Sequence, residues 1–194
     1  MRRLLLNVGV VFCLFAVIVC AGMERAVAQQ KNETKAGATP VARKKDVASI
    51  DAIINALYDV ISGPAGQKRD WTRLRSLFLP GARLIPTGAR PNGETGARVL
   101  DVEDYIAQAG PYLEENGFFE SEIARRMDTF GNIAQVFSAY DSRHKADDAK
   151  PFSRGINSIQ LTFKDKRWWV VTIFWDSERP DNPIPKKYLK SRKD

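Results

Sequence analysis

From Phe118 to Trp175 the chain alternates apolar and polar residues with a period of two, in four runs long enough to be strands. "FFESEIARRMDTF" and "NIAQVFSAYDS" flank Gly131-Asn132, a turn pair that predicts a hairpin. "INSIQLTFK" and "RWWVVTIFW" flank Asp165-Lys166, which predicts a second. The segment "RHKADDAKPFSRG" joins the two. Four long strands in two hairpins need an apolar partner layer, and the first half of the chain supplies helices for it.

Three helices are expected there. Over 46–62, Ile50, Ile53, Ile54, Leu57, Tyr58 and Ile61 form one stripe at helical spacing. Asp46 or Ser49 can cap the start, and Gly63-Pro64 stops the run. A second helix is expected over about 70–79, with Trp71, Leu74, Leu77 and Phe78 apolar and Pro80-Gly81 at its end. Then come a short strand over 82–88, turn chemistry over 90–96 and a brief strand over 97–100. A third helix starts at Asp101, with Asp104 completing a variant capping box. Pro111 should kink or divide it, and Asn116-Gly117 ends it. Helices segregated from an antiparallel sheet mean an α+β fold, with about four long strands plus short ones and three helices in the first half of the chain.

The N-terminus carries a different signature. Arg2 and Arg3 precede the almost uncharged stretch Leu4–Gly22, and Ala26-Val27-Ala28 fits a small-x-small cleavage pattern. Residues 1–28 therefore read as a secretory signal, with a retained anchor as the alternative, since the stretch is long enough to span. After cleavage no stable membrane insertion is expected, and the product is exported, periplasmic or secreted. A lipid-modified Cys20 would need a small residue before it, and Val19 is not small. Residues 29–45 are polar and aperiodic and read as a disordered linker. Asn32-Glu33-Thr34 matches a three-residue glycosylation sequon. Residues 46–178 form the domain, and 179–194 a basic tail of the kind that is usually solvated.

Both cysteines, Cys13 and Cys20, lie within the signal. The mature chain then has no disulfide, no thiolate nucleophile and no cysteine metal site. One histidine and no cysteine argue against zinc. The Asp141, Asp147, Asp148 group lacks calcium-loop spacing. No metal or cofactor is expected. Removing residues 1–28 takes away Arg2, Arg3, Arg25 and Glu24, so 30 basic and 23 acidic residues become 27 and 22. Part of the excess sits in the end segments, and no motif for reading DNA or RNA is present, so nucleic acid is not an expected partner.

The element order, together with the phrase "DWTRLRSLFLPGARLIP", resembles the nuclear transport factor 2-like superfamily, near its SnoaL-like and ketosteroid-isomerase-like members. The resemblance covers about 46–178. It implies a cone, in which a strongly curved sheet wraps helices and leaves a pocket open at one end. Members include isomerases, dehydratases, cyclases, ligand binders and assembly modules, many of them dimeric through the outer sheet face. Aligned by its phrases, this chain has no carboxylate at Ile85-Pro86, where the isomerase base would fall. It has none at Ile159, where the acidic donor would fall, and the tyrosine donor falls beside Tyr58, at Leu57. The resemblance therefore does not carry isomerase chemistry over.

Three side chains remain as candidate catalytic bases. His144 is a candidate by residue type, since histidine is the usual acid–base side chain near neutral pH, and Asp141 lies three residues before it, although "SRHKADDAKP" reads as a loop. Glu122 becomes a base if its strand face, shared with Arg126, points inward. Candidate ligand-binding residues are Tyr58, Tyr140, Asn157 and Trp175. Asn157 interrupts an apolar strand on the face that the resemblance makes the inner one, and hairpin pairing about Asp165-Lys166 sets Trp175 across from it near the open end. The expected inner set of the last strand is Trp169, Val171, Ile173 and Trp175. Trp168, Val170, Thr172 and Phe174 then make an apolar outer face, expected to pair with a second copy as an isologous homodimer. The first expectation is a non-catalytic, dimeric domain for an unidentified small apolar ligand. The second is a cyclase, dehydratase or isomerase using general acid–base chemistry, and the third is an assembly module whose cone is filled. A cavity holding Asn157, Trp175 and a carboxylate would favour the enzyme.

Overall fold

The computed structural model describes residues 39–89 and 95–190, and the account below concerns the domain they form. The expected signal, the sequon, most of the linker, the turn at 90–94 and the last four residues lie outside the described residues. Four helices precede or interrupt the strands: α1 (Lys44–Val47), α2 (Ile50–Ile61), α3 (Trp71–Leu77) and α4 (Val102–Asn116). The strands are β1 (Phe78–Ala89), β2 (Thr95–Ala97), β3 (Phe119–Phe130), β4 (Ile133–Arg143), β5 (Ser153–Lys164) and β6 (Arg167–Ser177). They form one open sheet in the order β2-β1-β6-β5-β4-β3, and the fold is α+β.

Local chemistry sets the helix boundaries. Ser49 Oγ accepts the amide of Ala52 at 3.1 Å and starts α2. Asp70 accepts the amide of Arg73 at 2.8 Å and starts α3. Asp101 and Asp104 form the reciprocal capping box of α4. The domain's first helix starts before residue 46: α1 begins at Lys44, and Arg43 pairs with Asp70 at 2.8 Å. Pro111 does not divide α4, which runs unbroken to Asn116. The α2 stripe is buried: Ile53 and Ile54 are fully covered and Leu57 nearly so, against Leu74, Leu77, Val136, Ile159 and Val170. Fully burying side chains of this size stabilises by about 1.5–3 kcal/mol each.

The expectation of an antiparallel sheet is corrected at one edge. β1 is twelve residues long and pairs with β6 in parallel, so the sheet is mixed. Pro80-Gly81 ends no helix. It lies inside β1, where the register shifts between Phe78 and Arg83 and Gly81 takes φ 84°. Local pattern could not show this, because the partner strand lies ninety residues away in sequence.

Two β-bulges decide which side chains face the helices. On β6 the pairing passes from Leu161–Val170 to Gln160–Thr172, leaving Val171 as the extra residue. One extra residue reverses every side chain on its far side. Ile173 and Trp175 face inward as expected, but Val170 and Trp168 face inward too, and Trp169 faces out. Val170 is fully buried, and Trp168 packs on the core with Phe163 at 5.4 Å. Trp169 donates its ring N–H to Lys164 O, and the Arg167 guanidinium lies over its ring at 3.6 Å. The expected outer set therefore loses Trp168 and Val170 and keeps Thr172 and Phe174. On β3 the second bulge, at Ile123, separates Glu122 from Arg126. Glu122 turns toward Ser138, while Arg126 turns to the outer face and donates to Lys187 O at 2.9 Å.

The C-terminal segment is also not a free tail. Beyond β6 it crosses the outer sheet face as a strap. Glu178 accepts the amide of Ile184 at 2.9 Å, Ile184 is buried, and Tyr188 packs on Phe137 at 5.0 Å. A second cavity of about 330 Å³ lies between the strap and Phe137, Ile156 and Phe174.

Candidate functional site

The concave face of the sheet and the helices enclose a cavity of about 240 Å³. α2 contributes Leu57, Tyr58 and Ile61, and α4 contributes Tyr105, Ala109, Tyr112 and Leu113. The strands contribute Glu120, Tyr140, Asn157, Ile159, Ile173 and Trp175. All four candidate ligand-binding residues line this space, so the cone is not filled by its own side chains. Asn157 does pair with Trp175. Counting back from the Asp165-Lys166 turn puts Phe174 opposite Asn157, and the extra residue at Val171 advances Trp175 into that place. Tyr105 meets Trp175 edge-on, with ring centres 6.3 Å apart. Gly155 admits no side chain, because the Tyr140 hydroxyl and the Asp176 carbonyl occupy the space a Cβ would take. That vacancy lets Tyr140 lean across β5.

The lining carries a single carboxylate, Glu120 at the start of β3. Ser142 Oγ donates to its Oε2 at 3.0 Å, and Asn157 Nδ2 donates to its Oε1 at 3.3 Å. No basic side chain among the described residues bonds it. Burial pushes its pKa up to about 7, the two hydrogen bonds and the nearby Asp141 charge acting as smaller influences. The site therefore holds a group that titrates near neutrality, as general acid–base chemistry requires.

A hydrogen-bonded chain leads away from Glu120. Asn157 Nδ2 donates to the Tyr58 hydroxyl at 3.2 Å, and Tyr58 lies 2.6 Å from Ser138 Oγ. Ser138 donates to Glu122 at 2.5 Å, and Glu122 is held by a bidentate Arg125. With Ser138 committed to Glu122, the Tyr58 hydroxyl donates a hydrogen bond to Ser138 and accepts one from Asn157. The amide is thereby fixed with its nitrogen toward Glu120. Burial, reinforced by the Glu120 charge, raises the phenols of Tyr58 and Tyr105, which stay protonated.

The three sequence-level candidate bases lie elsewhere. Glu122 belongs to the ion pair with Arg125, which also reaches Asp51. Asp141 is buried on the opposite side of β4 from Tyr140 and pairs with Arg143. His144 stacks on Phe152 at 4.2 Å with its Nδ1 3.2 Å from Gly117 O, and it does not line the cavity. Sequence reasoning missed Glu120. Its only signal was that it shares parity with Glu122 on the same run. What separates the two is that Arg125, shifted inward by the Ile123 bulge, reaches one and not the other.

No family model and no curated protein matches this sequence. Solved structures do match. An NTF2-like protein of unknown function from Pseudomonas putida aligns over 66% of this chain and 82% of its own, at 10% identity and TM-score 0.50. The Kfla4162 protein of Kribbella flavida aligns over 68% and 90%, at 11% identity and TM-score 0.50. LinA aligns over 68% and 85%, at 11% identity and TM-score 0.51. Likeness at these identities speaks to architecture, and the domain has the nuclear transport factor 2-like fold.

Proposed function

We propose that the domain binds a small, largely apolar molecule in its cone and moves a proton on it, with Glu120 as the acid–base group. The observation that carries this is the lone carboxylate in an apolar cavity, without an arginine partner and titrating near neutrality. Asn157 and Ser142 orient Glu120, while Trp175 and Tyr105 supply apolar contact. This favours the acid–base alternative over simple binding, because a binding cavity has no need of an unpaired desolvated carboxylate.

A carbon-acid probe tests it without knowledge of the natural substrate. 5-Nitrobenzisoxazole loses its C3 proton to a base as its ring N–O bond breaks, giving a coloured cyanonitrophenolate. The expected rate rises with pH through about 7, as Glu120 ionises. It should fall about 100-fold or more in Glu120→Gln and hold in His144→Ala. Equal rates in wild type and Glu120→Gln would defeat the proposal.

A second copy on the outer sheet face is also proposed, at a different place from the one expected. The strap takes the ground over Phe137 and Phe174. Towards the hairpin end, Phe130 is 83% exposed and Ile133 is 59% exposed, in one row with Trp169. Light scattering at micromolar concentration should give the mass of two chains, and Phe130→Ser with Ile133→Ser should give one. A wild-type monomer rules this face out.

A further inference from the structure

The cone lining is opposite in character to the rest of the chain. The chain carries a formal net charge of +7, yet among the described residues no lysine, arginine or histidine lines the cavity. Aromatic rings do, Tyr58, Tyr105, Tyr112, Tyr140, Trp175 and two phenylalanines, with Glu120 among them. Aromatic π-systems attract cations, and the attraction grows where water is excluded.

Glu120 also differs from most of the carboxylates that are buried or half-buried in the domain. Asp46 pairs with Arg73, Glu122 with Arg125, Asp141 with Arg143, Asp176 with Arg179 and Glu178 with Arg154. Glu120, deeper in the apolar space, has only two neutral donors. A buried carboxylate without a cation is costly, and an incoming cation removes that cost. The groups facing it are the Tyr58 phenol from α2, the Tyr105 phenol from α4, Tyr140 and Ser142 from β4 and Asn157 from β5. The Asp141 charge reaches it through β4, and none of these groups is positive.

We propose that the ligand of this cone is a small organic cation, an amine or quaternary ammonium on an apolar body, whose charge pairs with Glu120 inside the aromatic lining. This rests on reading the cone as a small-molecule pocket and adds the charge of what enters it. Size agrees: an apolar cavity of about 150 Å³ accepts benzene, so about 240 Å³ takes a ring with a compact substituent.

The test uses the mature chain and two probes of one shape, phenyltrimethylammonium and its neutral isostere tert-butylbenzene. Affinities are measured by calorimetry or ligand-observed resonance at pH 5.5 and 8.5. Neither probe titrates, so any pH dependence belongs to the protein. Phenyltrimethylammonium should bind about tenfold or more tightly at pH 8.5 than at 5.5, where only about 3% of a group with a pKa near 7 is ionised. At pH 8.5 it should also outbind the isostere, and Glu120→Gln should abolish both differences. If tert-butylbenzene binds as well or better at pH 8.5, the cation preference is overturned while the pocket and its proton transfer stand. If neither probe binds and 5-nitrobenzisoxazole does not react, the pocket reading falls and this inference with it.

Discussion

Replacing Arg69 by Ala should cost about 3–5 kcal/mol of stability, the largest effect expected of any single substitution outside the apolar core. Arg69 is buried, and among the described residues its guanidinium bonds backbone carbonyls rather than a carboxylate. Its Nε donates to Ile61 O at 3.0 Å, and its Nη2 to Gly63 O and Leu113 O at 2.6 and 2.8 Å. Its Nη1 donates to Gln67 O at 2.6 Å and, more weakly, to Pro64 O at 3.4 Å. One planar fork thus ties the end of α2, the following loop and the end of α4. Truncation would leave several carbonyls buried without donors, each costing about 1–3 kcal/mol, partly relieved by entering water. Arg69→Lys should recover little, because an ammonium cannot span three segments with a fixed fork. Urea unfolding checks the size of the loss, and in a domain of this length the melting temperature should drop by roughly 10 °C. A change below 1 kcal/mol would mean that the carbonyls find water readily and the clamp is dispensable. Leu113 and Tyr112 line the cavity, so the same variant should loosen the site.

The second large effect is an inverted pH profile. Glu120 binds its proton more tightly in the folded chain, where its pKa is about 7, than in the unfolded chain, where it is near 4.5. Between those values the folded state holds the extra proton, so stability falls as pH rises. The loss across the window is about 1–3 kcal/mol, after allowing for partial exposure. Three other carboxylates act in the opposite sense and lower down. Hydrogen bonds from Arg73, Arg75 and Lys68 hold Asp46, Glu103 and Glu114 below the ordinary range. Their contribution is complete above about 4.5 and is lost only as pH falls further. The two windows do not overlap. Urea midpoints at pH 5, 6, 7 and 8 should therefore decline for wild type and stay level for Glu120→Gln, with the variant more stable at pH 8. A level wild-type profile would show that water reaches Glu120 freely, and the acid–base reading would lose its support.

Much of the fold was readable because its determinants are local. Ser49, Asp70 and the Asp101/Asp104 pair cap helices through atoms within three residues of themselves. Asp165 and Lys166 take φ 53° and 61°, the left-handed geometry of a two-residue hairpin turn. Asn157 and Trp175 also came from local pattern, a polar amide in an apolar strand and an aromatic across from it, while Tyr58 came from the family resemblance. The acid–base group did not. Glu120 and Glu122 sit two residues apart on one run, and no periodicity tells them apart.

The amino-acid sequence by itself determined where helices begin, where the hairpins turn, in what order the elements follow and that a lined cone was possible. Tertiary structure alone decided the parallel pairing of β1 with β6, the strap over the outer face and the inward side of each strand beyond a bulge. The reason is phase. A strand's facing is set by counting residues from a fixed turn, and one residue squeezed out by packing, Val171 or Ile123, resets the count for everything past it. Trp168 and Trp169 changed faces that way, Trp175 came level with Asn157, and Arg125 reached Glu122, leaving Glu120 without a cation in the cavity.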